Sequence, residues 1–243
     1  MIQLDPSLSA GMRDGLDYLE HFEYECTEQT VSRFLPNVLT YRALQKLGIE
    51  DPKLEAKLPG LVAEGLDRLV LQQRDDGGWG WWKESRESNP YITAYVVFAL
   101  GKAEEVGFEV PRDVLERGLT YLNGQLVVSR RFSGYRDANR QAFILYVMAE
   151  VGDTARASEY TGDLWENREK LSHYGRALLA LSLDLVERGD GRIQTLLSDL
   201  NNAAILSATG AHWEEQNYDW WAMNTDTRST GIILDALARL DPN

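Results

Sequence analysis

Four stretches of this chain read as variants of one another. Thr93-Ala94-Tyr95-Val96-Val97-Phe98-Ala99-Leu100 aligns with Gln141-Ala142-Phe143-Ile144-Leu145-Tyr146-Val147-Met148 and with Thr230-Gly231-Ile232-Ile233-Leu234-Asp235-Ala236-Leu237. Tyr174-Gly175-Arg176-Ala177-Leu178-Leu179-Ala180-Leu181 follows the same scheme more loosely. A small residue recurs at the second position, and a nearly all-round apolar run follows it. A helix that is apolar on most sides is buried on most sides, so these four are expected inside, with more amphipathic helices around them. Their spacing is uneven, 48 residues from Ala94 to Ala142 and 33 from Ala142 to Gly175, which argues against a regular solenoid. Helical hairpins closed into an α/α toroid fit better, and the expected class is all-α.

The remaining punctuation agrees with helices throughout. Ser9 is placed to cap a helix carrying Met12, Leu16 and Leu19, after a short strand at Ile2–Leu4. A second helix is expected from about Cys26 to Leu47, stopped by Gly48 and kinked or interrupted by Pro36. Others are expected near 52–73, 90–106, 111–128, 138–151, 154–161, 167–188, 190–206 and 227–240. Asn89-Pro90, and Pro111 followed by Asp113, are helix-opening signals. No alternating strand stands out beyond the N-terminal edge. With 243 residues and no linker composition, residues 1–243 suit one domain. Residues 1–8 read as an edge segment of a neighbouring domain, and both termini are compatible with excision from a longer protein.

Thirty-eight acidic against 25 basic side chains leave a net charge of −13, without any Lys/Arg-rich run. That balance disfavours nucleic acid or an anionic membrane as partner. No stretch is long and apolar enough to span a bilayer, and the N-terminus lacks a signal-peptide pattern.

One cysteine is present, Cys26, so no intramolecular disulfide is available. Its context is Phe22-Glu23-Tyr24-Glu25-Cys26-Thr27-Glu28-Gln29-Thr30. Cys26 and Gln29 lie three apart, and at the mouth of a helix such residues share a face. A sulfur set against a glutamine side-chain carbonyl can displace ammonia and close an internal thioester, a stored acyl electrophile. The helix start is expected to favour the thiolate and to stabilise an oxyanion when a nucleophile attacks. Water must be kept from such a bond; Phe22, Tyr24 and the Trp-rich stretch 213–221 are candidate shields. Glu28 either tunes the bond or supplies a favourable carboxylate to the first helical turn. An inert buried thiol is the bland alternative.

Cys26-Thr27-Glu28-Gln29 resembles the thioester motif of α2-macroglobulins and complement C3-like proteins, written Cys-Gly-Glu-Gln, or Cys-Leu-Glu-Gln in bacterial members. Thr30-Val31-Ser32-Arg33-Phe34-Leu35-Pro36-Asn37 is similar to the bacterial continuation, and Trp79 to Leu100 and His212 to Leu237 look like later helices of the same domain. Where the family usually has Pro-Tyr-Gly before the cysteine, this chain keeps only Tyr24. The resemblance covers nearly the whole chain. It implies an α/α toroid and a single-use covalent role within a protease inhibitor, not a turnover enzyme. It also implies that a protease cuts a bait segment elsewhere in the parent protein and that a protease lysine amine then attacks Gln29. Neighbouring domains of the parent are further expected partners, and the parent is expected to be secreted, periplasmic or attached to the cell envelope. Complement-like members carry a histidine that redirects the bond toward hydroxyls; Tyr121 to Asn139 has none, and His21, His173 and His212 do not match it. Amines are therefore the expected targets.

Other constellations are weaker. Gln73-Arg74-Asp75-Asp76-Gly77-Gly78-Trp79 matches the Gln-x-x-x-Gly-x-Trp repeat of triterpene cyclases, which share the toroid, but the acidic cluster needed to protonate an alkene is missing. Asp75 and Asp76 read as turn residues. A prenyltransferase-type zinc site needs a late cysteine, and the single Cys26 is early. His212-Trp213-Glu214 reads as packing, and His21 lacks the partners of a cysteine protease. No metal or cofactor is expected. A terpenoid cyclase-like toroid enzyme and a non-reactive helical binding module remain the alternatives.

Overall fold

The computed structural model describes residues 26–208, 210–219 and 222–241. Among them are nine α-helices: α1 (Thr27–Leu47), α2 (Pro52–Gln72), α3 (Pro90–Glu105), α4 (Arg112–Gln125), α5 (Tyr135–Glu150), α6 (Thr154–Glu166), α7 (His173–Val186), α8 (Arg192–Asn202) and α9 (Asp226–Leu240). A two-stranded antiparallel hairpin, β1 (Ile205–Ser207) and β2 (Gly210–His212), precedes α9. The chain divides into two compact units, one ending at Tyr121 and the other starting at Leu122. In the first, α1 packs on α2 and α3; in the second, α7 packs on α5, α6, α8 and α9. No described helix is long and apolar enough to cross a membrane.

Three of the four repeated stretches are buried as their composition demands. In α3, Ile92, Ala94, Val96, Val97, Ala99 and Leu100 are fully enclosed, and α5 and α7 are similarly covered along Ala142–Ala149 and Ala177–Leu183. The fourth is not: in α9 only Ser229, Ile233 and Ala236 are buried, and Leu234 is 48% exposed. Asp235 and Arg239 interrupt its apolar run with an i,i+4 ion pair, so α9 behaves as an amphipathic helix.

In three of the four repeats the first position has a physical reason that periodicity does not reveal. The Trp79 amide donates to Thr93 Oγ1 at 2.9 Å, and the Thr93 hydroxyl donates back to the Trp79 carbonyl at 3.3 Å. Gln141 does the same with Val127, accepting from its amide at 3.0 Å and donating to its carbonyl at 2.8 Å. Thr230 repeats it with Trp213, at 3.0 and 3.3 Å. In α3, α5 and α9 one side chain thus satisfies both backbone groups of one residue in the incoming loop, groups too costly to bury unpaired. Gly175, the small residue of the α7 repeat, has a different cause. A Cβ there would lie 2.3 Å from Asn139 Oδ1, the oxygen that accepts the Ser172 amide at the α7 mouth.

Elsewhere the helices depart from expectation in four places, the first being α6, expected at 154–161, which continues through Gly162 to Glu166. α1 runs unbroken through Pro36; beside it the buried Asn37 side chain donates to the Arg33 carbonyl in the turn the proline ring crowds. The expected 167–188 helix is a 3-10 turn at Arg168–Lys170 followed by α7, because Ser172 has extended backbone. The expected 190–206 helix ends at Asn202, and Ile205 and Leu206 enter the hairpin, which contradicts the absence of strands. Strands of three residues are too short to show an alternating pattern. The expected Ile2–Leu4 strand and the Ser9 helix lie outside the described residues.

Candidate functional site

Cys26 is the N-cap of α1. Its backbone is extended (φ −69°, ψ 163°), which turns its side chain across the helix mouth. There Cys26 Sγ accepts from the Gln29 amide at 3.4 Å, while the Cys26 amide donates to Gln29 Oε1 at 3.2 Å. This is a reciprocal capping box with cysteine in the place usually held by serine or threonine. It puts the sulfur and the glutamine side-chain carbonyl on the same side of the mouth, with Oε1 folded back over residue 26. Cys26 is 6% exposed.

The cap is held from outside the helix as well. The Thr27 amide, the first of α1, donates to the Trp81 carbonyl at 2.9 Å. The Thr27 hydroxyl donates to Gln72 Oε1 at 3.2 Å, at the last residue of α2. Thr30 closes the first turn with two bonds to the Cys26 carbonyl, from its amide at 2.9 Å and from its hydroxyl at 3.1 Å.

The loop carrying Trp81 is itself fastened. Trp79 is fully buried and its indole donates to the Leu69 carbonyl at 2.7 Å, satisfying a group near the end of α2. Arg74 donates to the carbonyls of Ser85 and Arg86, and Asp76 accepts from the Gly78 amide and the Ser88 hydroxyl. Gly77 takes a positive φ of 86°, where a side chain would meet the Arg117 carbonyl at 2.5 Å. Gln73 donates to the carbonyls of Gly77 and Val114. The cyclase-like Gln-x-x-x-Gly-x-Trp segment is therefore a loop-fastening device, and the two aspartates form the expected turn.

Burial pushes the Cys26 thiol above its ordinary value; the Gln29 amide pulls it down, and the Glu28 charge pushes it up further. The amides of the helix start favour the thiolate as expected, but desolvation of the charged sulfur outweighs them and the net direction is upward. Glu28 is half-buried in the first turn and accepts from the Ser32 hydroxyl, which also bonds Tyr95.

Of the residues singled out from the sequence, Cys26, Gln29 and Glu28 come together at one helix mouth. Tyr24, Phe22 and His21 lie outside the described residues, as do Trp220 and Trp221. Trp213 is in the second unit, fully engaged with Leu200 and Thr230. His212 is exposed beside Glu214 at 3.3 Å, and the His173 amide is bound by Glu215. Thr27, Gln72 and Trp81 were not anticipated. Only the Gly-Gly-Trp-Gly-Trp-Trp composition of 77–82 signalled that loop, and a backbone carbonyl leaves no mark on a sequence. Among the described residues no three His, Cys, Asp or Glu side chains cluster as metal ligands.

Successive helical hairpins, with a cysteine–glutamine capping box at the mouth of α1, define an all-helical domain. Comparison with known proteins agrees. The sequence profile of the A-macroglobulin TED domain matches residues 3–134, more than half of the chain. The alpha-2-macroglobulin of Thermotoga maritima is 40% identical over 111 residues, 46% of this chain and 7% of that protein. That of Escherichia coli is 33% identical over 178 residues, 71% of this chain and 11% of that protein. The crystal structure of Salmonella alpha-2-macroglobulin reacted with methylamine superposes with a TM-score of 0.71 at 24% identity, covering 94% of this chain and 15% of that one. The trypsin-activated Escherichia coli protein gives 0.64 at 24% identity, over 90% and 15%. The chain belongs to the A-macroglobulin TED-domain family, whose fold is an α/α toroid. It spans about a tenth of the curated relatives it matches.

Proposed function

We propose that this chain is the thioester domain of a bacterial α2-macroglobulin-type protease trap, with Cys26 and Gln29 as its bond-forming pair. The observation that carries the reading is the reciprocal cap, in which each of the two residues holds the other at a buried helix mouth. In closure, Cys26 Sγ attacks the Gln29 side-chain carbonyl carbon; the C–N bond breaks, ammonia leaves with the thiol proton, and a thioester forms. In capture, an amine nitrogen attacks the same carbon and the C–S bond breaks. An amide to Gln29 results, and the amine's proton ends on Cys26, restoring a thiol.

Burial keeps the free sulfur protonated and so slow toward stray oxidants, and it works against closure, in which the thiolate is the nucleophile. The partners in this reading are proteases met by the full-length parent through their lysine amines. A Salmonella relative has reacted with methylamine and an Escherichia coli one is trypsin-activated, which supports amine and protease targets. In this reading the parent works outside the cytoplasm, secreted, periplasmic or on the envelope, where it would meet such proteases.

Intact-mass measurement tests the reading. The expected result is a chain lighter by one ammonia, gaining the mass of methylamine on treatment while releasing one titratable thiol, with glycerol coupling more slowly. A chain of full mass with glutamine at position 29 and a free thiol from the outset would leave a non-reactive helical module. Glutamate at 29 would report a thioester already hydrolysed.

A further inference from the structure

The bonds around Thr27 reach beyond the capping pair. Thr27 joins Cys26 to the part of α1 that carries Gln29, so its backbone torsions set where the sulfur lies relative to the glutamine. Its amide is tied to the Trp81 carbonyl, and its hydroxyl is tied to Gln72 Oε1. Thr27 is 1% exposed, so its polar groups depend on these partners. The two anchors come from separate places, the fastened loop 77–89 and the end of α2. Rotation about Thr27 ψ, which carries Cys26 away from Gln29, breaks both bonds at once.

We infer that Thr27 and Gln72 are positioning residues for thioester chemistry: the Thr27 hydroxyl–Gln72 bond, with the Trp81 carbonyl, locks the backbone that presents Cys26 to Gln29. The inference rests on the thioester reading. Ring closure between two groups of one chain gains its rate from holding them in a near-attack arrangement, and small displacements cost heavily. Loss of the lock therefore slows closure and loosens the finished bond toward water, while the helix itself persists through its remaining first-turn bonds.

Thr27→Val tests this, because it removes the hydroxyl and keeps the amide, the β-branch and the volume. In the full 243-residue chain, the expected result is hydrolysis of the bond to glutamate at position 29 roughly three- to tenfold faster than in the wild type, the size of one lost buried hydrogen bond. Helical content stays at the wild-type level. Thr27→Ser, which restores the hydroxyl, returns the rate toward wild type, a rescue that a purely steric role does not predict. Gln72→Leu, which leaves residue 27 intact, gives the same acceleration and decides the matter should Thr27→Val not fold. Wild-type rates in Thr27→Val, or in Gln72→Leu where it alone folds, overturn the inference and leave the thioester reading standing. A wild type without ammonia loss or glutamate at 29 overturns that reading and this inference with it.

Discussion

Two residues beyond Trp79, the Trp81 carbonyl takes the first amide of α1. Two residues beyond Trp213, the Glu215 carboxylate takes the first two amides of α7, from His173 at 3.0 Å and Tyr174 at 2.9 Å. The two loops are otherwise built alike. Trp79 and Trp213 each donate an indole N–H to a carbonyl near the end of the preceding helix at 2.7 Å, and each is straddled by the threonine that opens the next inner helix. They part company at the helix mouth. A carboxylate brings charge to the positive end of the dipole and satisfies two donors, which finishes the α7 mouth. A peptide carbonyl is neutral and satisfies one, so the Gln29 amide in α1 is left to Cys26 Sγ. One loop design gives one helix end a charged side-chain cap and, in the other unit, borders the helix mouth at which the thioester pair is proposed.

The widest break in this parallel would come from the tryptophans. Both are almost fully enclosed, Trp79 at 0% and Trp213 at 2%, and truncation of either leaves a cavity and removes one of the two donors to a helix-end carbonyl. Trp79→Ala and Trp213→Ala are each expected to cost about 3 to 5 kcal/mol, read from urea unfolding followed by tryptophan fluorescence and circular dichroism. A near-neutral result at one position would mean the two loops share geometry without sharing a structural role.

Glu215→Ala is expected to cost about 2 to 3 kcal/mol, because two amides then face a buried site without their charged acceptor. Intact mass should still show loss of ammonia in this variant, since Glu215 serves α7 and not α1. A variant that keeps full stability would show that water caps α7 as well as the carboxylate does. A smaller contrast lies in the threonines. Thr93 is fully buried and Thr230 only half-buried, so Thr93→Val should cost about 1 to 2 kcal/mol and Thr230→Val less. Equal losses would indicate that solvent does not relieve the Thr230 site.

The four repeats were legible in the sequence because apolar composition reports burial directly, and α3, α5 and α7 follow it. Their shared first position was visible as a coincidence of Thr93, Gln141 and Thr230. Its cause was not, since the partners are backbone groups of Trp79, Val127 and Trp213 lying 14, 14 and 17 residues earlier. α9 misleads in the opposite way, its Ile232-Ile233-Leu234 run reading as core although one side faces solvent. At the candidate site, the Cys26–Gln29 spacing was readable because helical geometry turns a three-residue separation into proximity. Thr27 occupies the variable position of that motif and gave no hint of its role. Gln72 sits 45 residues away, a separation no periodicity bridges.

The smallest expected effect concerns charge at the open mouth. Once methylamine has released it, Cys26 should be alkylated more slowly at neutral pH than an exposed cysteine, with its rate inflection at higher pH. Burial holds the thiol above its ordinary value, so less thiolate exists at any pH below that inflection. Glu28 adds to the rise by like-charge repulsion, after burial and the opposing Gln29 amide in size. Glu28→Gln keeps an oxygen for the Ser32 hydroxyl and removes the charge, so the inflection should move down while remaining above that of an exposed thiol. No cysteine stands across the amides at α7, where their acceptor is Glu215. An inflection for Cys26 at or below that of an exposed cysteine would mean the amides of the α1 mouth outweigh desolvation, and the contrast between a neutral, waiting helix end and a charged, closed one would have to be abandoned.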